Sequence, residues 1–272
     1  MSTPLPVLFT GLVDDAAVFP PGSMPPHEAI KAHRRHRAAW YADFVGPLLL
    51  PTSMVEQVTE EFAIGVVADS GIDGLRALLG RGDRRIAHIE LAVAKRGEDP
   101  QPGLADLIEL VRATPGLPGY AEIPLTWGLL GALDTVASAR DAGVAVVPKF
   151  RTGGLAAELF PTPIELAAVI CACRDRGLPF KLTAGLHHAI RHTDPETGFV
   201  HHGFLNVLVG AAQAAADAEV ADVGATLAGT DPVPLIEAAR RLLSRPRPLW
   251  TGYGSCSVTE PLDDLSRLGL LG

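Results

Sequence analysis

Eight short apolar runs, most followed by an amphipathic stretch, in a chain of 272 residues that lacks a nucleotide-binding glycine motif, predict an α/β domain. The expected architecture is a TIM-type (β/α)8 barrel with an extended or doubled helix after the seventh strand, built as a single domain over residues 1–272. A doubly wound open sheet is the alternative topology. Neither G-x-G-x-x-G after the first strand nor G-x-x-x-x-G-K-[ST] occurs, so the nucleotide-binding form of that sheet lacks its signature.

The strand candidates are 6–15, 44–51, 63–70, 86–93, 119–125, 144–150, 178–184 and 248–254. They are runs of Val, Ile, Leu and Ala bounded by Gly, Pro or Asp, as expected of parallel strands buried on both faces. Helical periodicity occupies 27–40, 53–62, 71–80, 103–113, 131–142 and 162–176, with Gly143 and Gly177 placed as helix stops. After the seventh strand the helical pattern runs through "GFLNVLVGAAQAAADA", breaks at "GTDP" and resumes as "VPLIEAARRLLSR". A short eighth helix, "PLDDLSRLGLL", follows.

Composition bounds the function. The chain is 47% hydrophobic, with 28 Gly and 23 Pro, which fits a packed, loop-punctuated globule. A net charge of −8 disfavours nucleic acid and anionic membranes as partners. No basic leader and no run of 18 apolar residues occur, so a soluble, cytoplasmic protein is expected. The three cysteines, two of them two apart on one helix, fit a reducing compartment better than a disulfide scaffold. A homo-oligomer is compatible with everything in the sequence.

Only four of the 23 basic residues are lysines, and two of them open similar phrases, "KFRTGG" from Lys149 and "KLTAGL" from Lys181. Strand alternation sends the bulky residues toward the helices. Val144, Val146 and Phe150 then face out, and Lys149 and Arg151 face in. Phe180 and Leu182 face out, and Lys181 and Thr183 face in. The same rule turns His88, Glu90 and Glu122 inward, so two lysines meet two glutamates on four consecutive strands. Opposite charges in equal number are what a barrel interior tolerates, since an unpaired buried charge is very costly.

The two lysine motifs resemble those of class I deoxyribose-phosphate aldolases and related Schiff-base barrels. The resemblance implies that Lys149 forms an imine with a carbonyl substrate and that Lys181 tunes it as a nearby cation that lowers its pKa. It further implies a carboxylate that relays protons, for which Glu90 and Glu122 are the candidates. The chain departs from that pattern at Arg151 and in the long segment after the seventh strand. The expected activity is aldolase- or lyase-type C–C bond chemistry on a small, possibly anionic carbonyl compound, with no cofactor.

That long segment holds five of the nine histidines: His187, His188, His192, His201 and His202. With "TDPETG" at its centre it reads as a hairpin or lid. Three roles are open. His187, His188 and Arg191 can bind substrate together with Arg151, Thr183, Asp15 and Ser255. Alternatively, His187, His188, His192 and His201, with Asp14 or Asp15 from the first strand as a further ligand, can ligate a divalent metal such as Zn, Mn or Fe, giving a metal-dependent hydrolase, lyase or isomerase. The third role is hydrogen bonding within the lid.

Overall fold

A computed structural model describes residues 4–271 and contains a closed barrel of eight parallel strands. The strands are β1 (Val13–Asp15), β2 (Val45–Pro51), β3 (Ile64–Val67), β4 (Ile86–Ala92), β5 (Gly119–Glu122), β6 (Val146–Arg151), β7 (Phe180–Thr183) and β10 (Trp250–Ser255). Neighbours around the barrel follow chain order, and β10 closes it by pairing with both β7 and β1. The fold is thus the (β/α)8 barrel that the alternation of apolar runs predicts. The first three residues of the N-terminal stretch read as leaderless lie outside the described region. Among the described residues no helix is long and apolar enough to cross a membrane.

The helices are α1 (Pro26–Ala38), α2 (Gly71–Leu79), α3 (Gln101–Ala113), α4 (Leu129–Asp141), α5 (Pro163–Asp175), α6 (Phe204–Ala215), α7 (Val220–Ala228), α8 (Pro232–Arg240) and α9 (Thr259–Arg267). Local chemistry fixes several ends. Thr162 and Glu165 form a reciprocal capping box at the start of α5: the Glu165 N–H donates to the Thr162 hydroxyl, and the Thr162 N–H donates to the Glu165 carboxylate. Asp231 accepts from the Val233 N–H at the start of α8, where Pro232 sits at the first helical position.

The glycine stops Gly143 and Gly177 adopt positive φ, 80° and 62°. Each closes its helix with a paired backbone motif. Val144 donates to the carbonyl of Ala139 and Leu178 to that of Cys173, both at 2.9 Å. The same stop therefore launches both lysine-bearing strands.

Two elements differ from the sequence expectation. Residues 53–62 carry a helical pattern, but they form only a 3-10 segment, Thr52–Gln57, followed by extended chain. The stretch after β7 is three helices rather than one long or two. Asp217, at φ 62°, ends the first segment, and α7 then packs beside α5 and α6 before the "GTDP" break. The hairpin expected within the histidine segment is present: β8 (His192–Thr193) pairs antiparallel with β9 (Val200–His201). Its turn is tied by Asp194, whose carboxylate accepts from the N–H groups of Glu196 and Thr197.

Candidate active site

Strand register sets the level of each ionisable side chain. Lys149 on β6 lies directly opposite Lys181 on β7 and Glu122 on β5. Glu90 on β4 then reaches across the barrel. One carboxylate oxygen accepts from Lys149 Nζ at 2.7 Å and the other from Lys181 Nζ at 2.5 Å. β4 and β7 are separated by two strands, so that second bond exists only if both side chains point into the barrel. The parity rule therefore placed these four residues correctly.

Around that bridge the charges alternate. Lys149 also pairs with Glu122 at 2.8 Å, and Glu122 pairs with Arg151 at 3.0 Å. Lys181 also pairs with Asp14 on β1. Three cations (Lys149, Lys181, Arg151) thus face three carboxylates (Glu90, Glu122, Asp14). Lys149, Lys181 and Glu90 are each buried to within a few per cent, whereas the Arg151 side chain is 44% exposed.

The balance decides the protonation. Burial opposes the charge on Glu90, yet Lys149 and Lys181 hold its carboxyl well below the usual range. Burial likewise opposes a charged Lys149, but Glu122 and Glu90 outweigh it and raise its pKa. Lys181 is raised in the same way by Asp14 and Glu90. The expectation that one lysine would lower the pKa of the other is corrected here: Glu90 sits between them, and attraction to the carboxylates wins over repulsion between the ammonium groups.

Glycines make room for the network. A Cβ on Gly46 of β2 would run into the Asp14 carboxylate, and one on Gly65 of β3 into the His88 imidazole. His88 Nε2 lies 3.1 Å from Glu90 and 3.5 Å from Lys181. Tyr120 presents its ring to Lys181 Nζ at 4.6 Å and meets His88 edge-on. Asp14, His88 and Glu90 are also the one group of three among the described residues whose ligand atoms gather closely enough for a metal ion. The Lys181 ammonium already bonds to two of the three, so the cation seated among them is the lysine.

The "T-G" after Lys149 (Thr152, Gly153) and the "T-A-G" after Lys181 (Thr183 to Gly185) serve a different purpose. The hydroxyl of Thr152 donates to the Ala184 carbonyl at 2.6 Å, and the Thr152 N–H to the Thr183 carbonyl at 2.9 Å. Gly153 packs on Gly185 so closely that a Cβ on Gly153 would sit 2.9 Å from its Cα. The two phrases are the two sides of one seam between adjacent loops.

The other expected binding residues scatter. Asp15 is a correction: it lies one residue beyond the inward Asp14 and so faces the helices, where its carboxylate meets His33 of α1 at 3.0 Å. Ser255 is buried, and its hydroxyl donates to the Ser257 carbonyl at 2.8 Å within its own turn. Thr183 shares the inward face of β7 with Lys181, one layer nearer the mouth, opposite Arg151. Arg191 donates to His202 Nδ1 at 3.4 Å, and His202 Nε2 donates to the Pro161 carbonyl at 2.7 Å. Burial pushes His202 down to about 4, consistent with this neutral, doubly bonded ring.

Of the four histidines of the expected metal set, His188, His192 and His201 stand side by side, His188 edge-on to His192 with ring centroids 4.7 Å apart, but among the described residues their ring nitrogens do not gather as closely as the ligand atoms of Asp14, His88 and Glu90 do. His187 and His188 each turn a ring nitrogen to a carboxylate of α9, Glu260 at 2.9 Å and Asp264 at 3.2 Å. His192 stacks on His201 across the hairpin, with ring centroids 5.3 Å apart. From the sequence, Asp14 is expected only beside Asp15 as a further metal ligand, Asp15 is placed in the binding set, and neither His88 nor Tyr120 is assigned a role. The alternation rule contained the signal for Asp14, since Val13, part of the apolar core, shares its face with Asp15.

A cavity of about 440 Å³ opens at the C-terminal ends of β4, β5 and β6, lined by Glu122, Arg151, Lys95, Arg96, Glu158 and Phe160 among others. It touches the network through Glu122 and Arg151. A larger cleft of about 660 Å³ lies by α1 and the start of β2, at the other end of the strands and away from both lysines. Barrel chemistry belongs to the C-terminal ends, so the smaller cavity is the candidate substrate site. The chain matches no protein-family model, and a search of curated proteins finds no match.

Proposed function

We propose that the chain is a lyase-type enzyme that acts on a small anionic carbonyl compound through an imine on Lys149. The observation that carries this reading is that Lys149 and Lys181 sit in direct register and share Glu90, while Lys149 continues through Glu122 and Arg151 to the mouth cavity. Lys181 has no such route: its partners are Asp14, Glu90, His88 and the Tyr120 ring, all inside the barrel. Three cationic side chains, Arg151, Lys95 and Arg96, line the cavity and suit a substrate carboxylate or phosphate.

A lysine held as an ammonium must lose a proton before it is a nucleophile. Arg151 supplies a means. When its guanidinium turns to the substrate anion, Glu122 loses one of its two cations and becomes more basic. Glu122, already hydrogen-bonded to Lys149, then accepts the Nζ proton. The free amine adds to the substrate carbonyl, Glu122 returns the proton to the departing hydroxyl as water leaves, and the iminium draws electrons from the adjacent C–C bond. Lys181 and Glu90 remain paired beneath it, and the Glu90 carboxylate, which also bonds to Lys149, stays beside the iminium cation as its counter-ion.

Borohydride trapping with a panel of small 2-oxo acids and phosphorylated aldehydes and ketones, read by peptide mass analysis, tests this. The expected result is a reduced adduct on Lys149 that is absent from Lys149→Met. No adduct on any lysine across the panel sinks the imine reading, and an adduct confined to Lys181 reverses the assigned roles.

A further inference from the structure

The interior network leaves one reactive cluster unused. Cys256, the residue after β10, places Sγ 3.9 Å from His187 Nε2, and His187 Nδ1 lies 2.9 Å from a carboxylate oxygen of Glu260 in the first turn of α9. A thiol, an imidazole within reach of it and a carboxylate orienting the imidazole from behind are the three parts of an activated nucleophile. All three come from segments at the C-terminal ends of β7 and β10, on the face where a barrel receives substrate. We propose that Cys256, His187 and Glu260 form a second nucleophilic site, which takes an activated acyl group, an ester or thioester, onto the Cys256 sulfur.

Burial separates Cys256 from the other two thiols. Cys171 and Cys173 are buried in α5, and burial pushes Cys173 up to about 12, so it stays an inert thiol. Cys256 is only half-buried, beside the proline-rich loop after β1. Gly22 of that loop comes so close that a Cβ there would lie 3.0 Å from the Cβ of Cys256. The imidazole is oriented rather than free. The His187 side chain is 22% exposed, and its pKa is raised to about 9, chiefly by the hydrogen bond with Cys256, against the opposing effect of burial and with Glu260 adding to it. A cationic imidazole beside the sulfur is the partner that a thiolate nucleophile needs.

The step is balanced as follows. The thiolate attacks the acyl carbon and an S–C bond forms. The bond from that carbon to the alkoxide or thiolate leaving group breaks, and the leaving group takes the proton from His187 Nε2. The neutral imidazole then accepts a proton from water as its oxygen attacks the thioester. The carboxylic acid departs and the thiolate–imidazolium pair is restored. No oxidant or cofactor is needed.

The unmodified chain gives the first test through its pH profile of alkylation by iodoacetamide, followed on the Cys256 peptide. An ordinary thiol, with a pKa near ~8.5, loses about tenfold in rate per pH unit below that value. Cys256 is expected to lose less than about threefold between pH 8 and pH 6. His187→Gln should restore the ordinary slope, and Glu260→Gln should lie between. The second test is p-nitrophenyl acetate: a burst of nitrophenolate, an acetyl group on the Cys256 peptide, and neither in Cys256→Ser. An ordinary-thiol slope in the unmodified chain overturns the ion pair, and an acetyl group absent from Cys256 overturns the acyl chemistry.

Discussion

The barrel interior and the histidine-rich mouth use the same pairing, a basic group against a carboxylate, under opposite conditions. Inside, Glu90 is shared by two lysines, and all three side chains are almost wholly excluded from water. At the mouth, the His188 side chain is 47% exposed and has a single carboxylate partner, Asp264. The difference teaches where a charge pair matters. A buried ion whose partner is removed keeps its desolvation cost and loses its compensation, whereas an exposed one turns to water. The interior pairs therefore constrain each other, and the mouth pairs contribute little to stability one by one.

The sharpest break of that contrast is Glu90→Gln. It leaves Lys149 and Lys181 with one carboxylate each, and the network with an excess positive charge. The expected loss is about 3–5 kcal/mol in urea unfolding. Adding Lys181→Met to Glu90→Gln should recover part of the loss, because the surplus ammonium goes with it. A Glu90→Gln protein as stable as the parent would show that water reaches the barrel centre.

Acidification separates the two regions by pH. Glu90 is depressed in the fold, so its contribution is complete above the ordinary carboxyl value of 4.5 and is lost as pH falls through its lower folded value. Lys149 is raised, so its contribution is complete below 10.5 and is lost as pH rises through its higher folded value. The interior thus contributes evenly between those limits. His202 behaves otherwise. Held neutral by burial and lowered to about 4 from 6.5, it contributes fully above 6.5 and progressively less as pH falls toward 4. Hydrogen exchange between pH 7 and 4.5 should therefore show loss of protection at the hairpin residues 192–201 and at the Thr162 N–H, next to the Pro161 carbonyl, before β4, β6 or β7 changes. Simultaneous loss in both regions would show that they are coupled.

Legibility in the sequence follows the same division. Strand parity is a local rule with a period of two, and it turned Lys149, Lys181, Glu90 and Glu122 inward from the chain alone. It was not available for Asp14 and Asp15, because a first strand expected over residues 6–15 offers no fixed starting point, whereas in the structure the strand is Val13–Asp15 and the core residue Val13 sets its parity. The histidines were legible as a hairpin, since turn chemistry is local, but their partners were not. Glu260 and Asp264 lie 73 and 76 residues further along the chain. Barrel closure alone brings them near, because β10 pairs with β7 and so sets the helix after β10 beside the loop after β7. The pKa direction at Lys149 is not legible in the chain for a related reason: alternation brings the two lysines close, but the bridging geometry of Glu90 is a three-dimensional fact.

Asp15 gives a smaller effect and separates the two adjacent carboxylates. Its charged hydrogen bond to His33 is buried, so Asp15→Asn should cost about 1.5–3 kcal/mol. Facing the helices rather than the barrel, it should leave borohydride trapping at Lys149 unchanged. Asp14→Asn should increase that trapping, because Lys181 then draws more of Glu90, and Lys149, less firmly held as an ammonium, gives up its proton more readily. Equal effects of the two substitutions on trapping would mean that the first strand does not sort them as its alternation requires.

The smallest effect is expected at His188. Its ring nitrogen reaches Asp264 at 3.2 Å, but Asp264 has a second partner that does not depend on it: the backbone N–H of Ala189, which donates at 2.8 Å. Truncating His188 removes the weaker of the two bonds from a carboxylate that keeps the stronger, and the exposed pair is screened by salt in any case. His188→Ala should therefore change unfolding stability by less than about 1 kcal/mol, and by less still at 1 M salt. Asp264→Ala removes both bonds, together with the exposed Arg267 pair at 3.3 Å, and leaves the Ala189 N–H to find another acceptor, so it should cost more than His188→Ala at either ionic strength. If the two variants match, the histidine rather than the backbone amide anchors this loop to α9, and the mouth shares more of the interior's interdependence than its exposure implies.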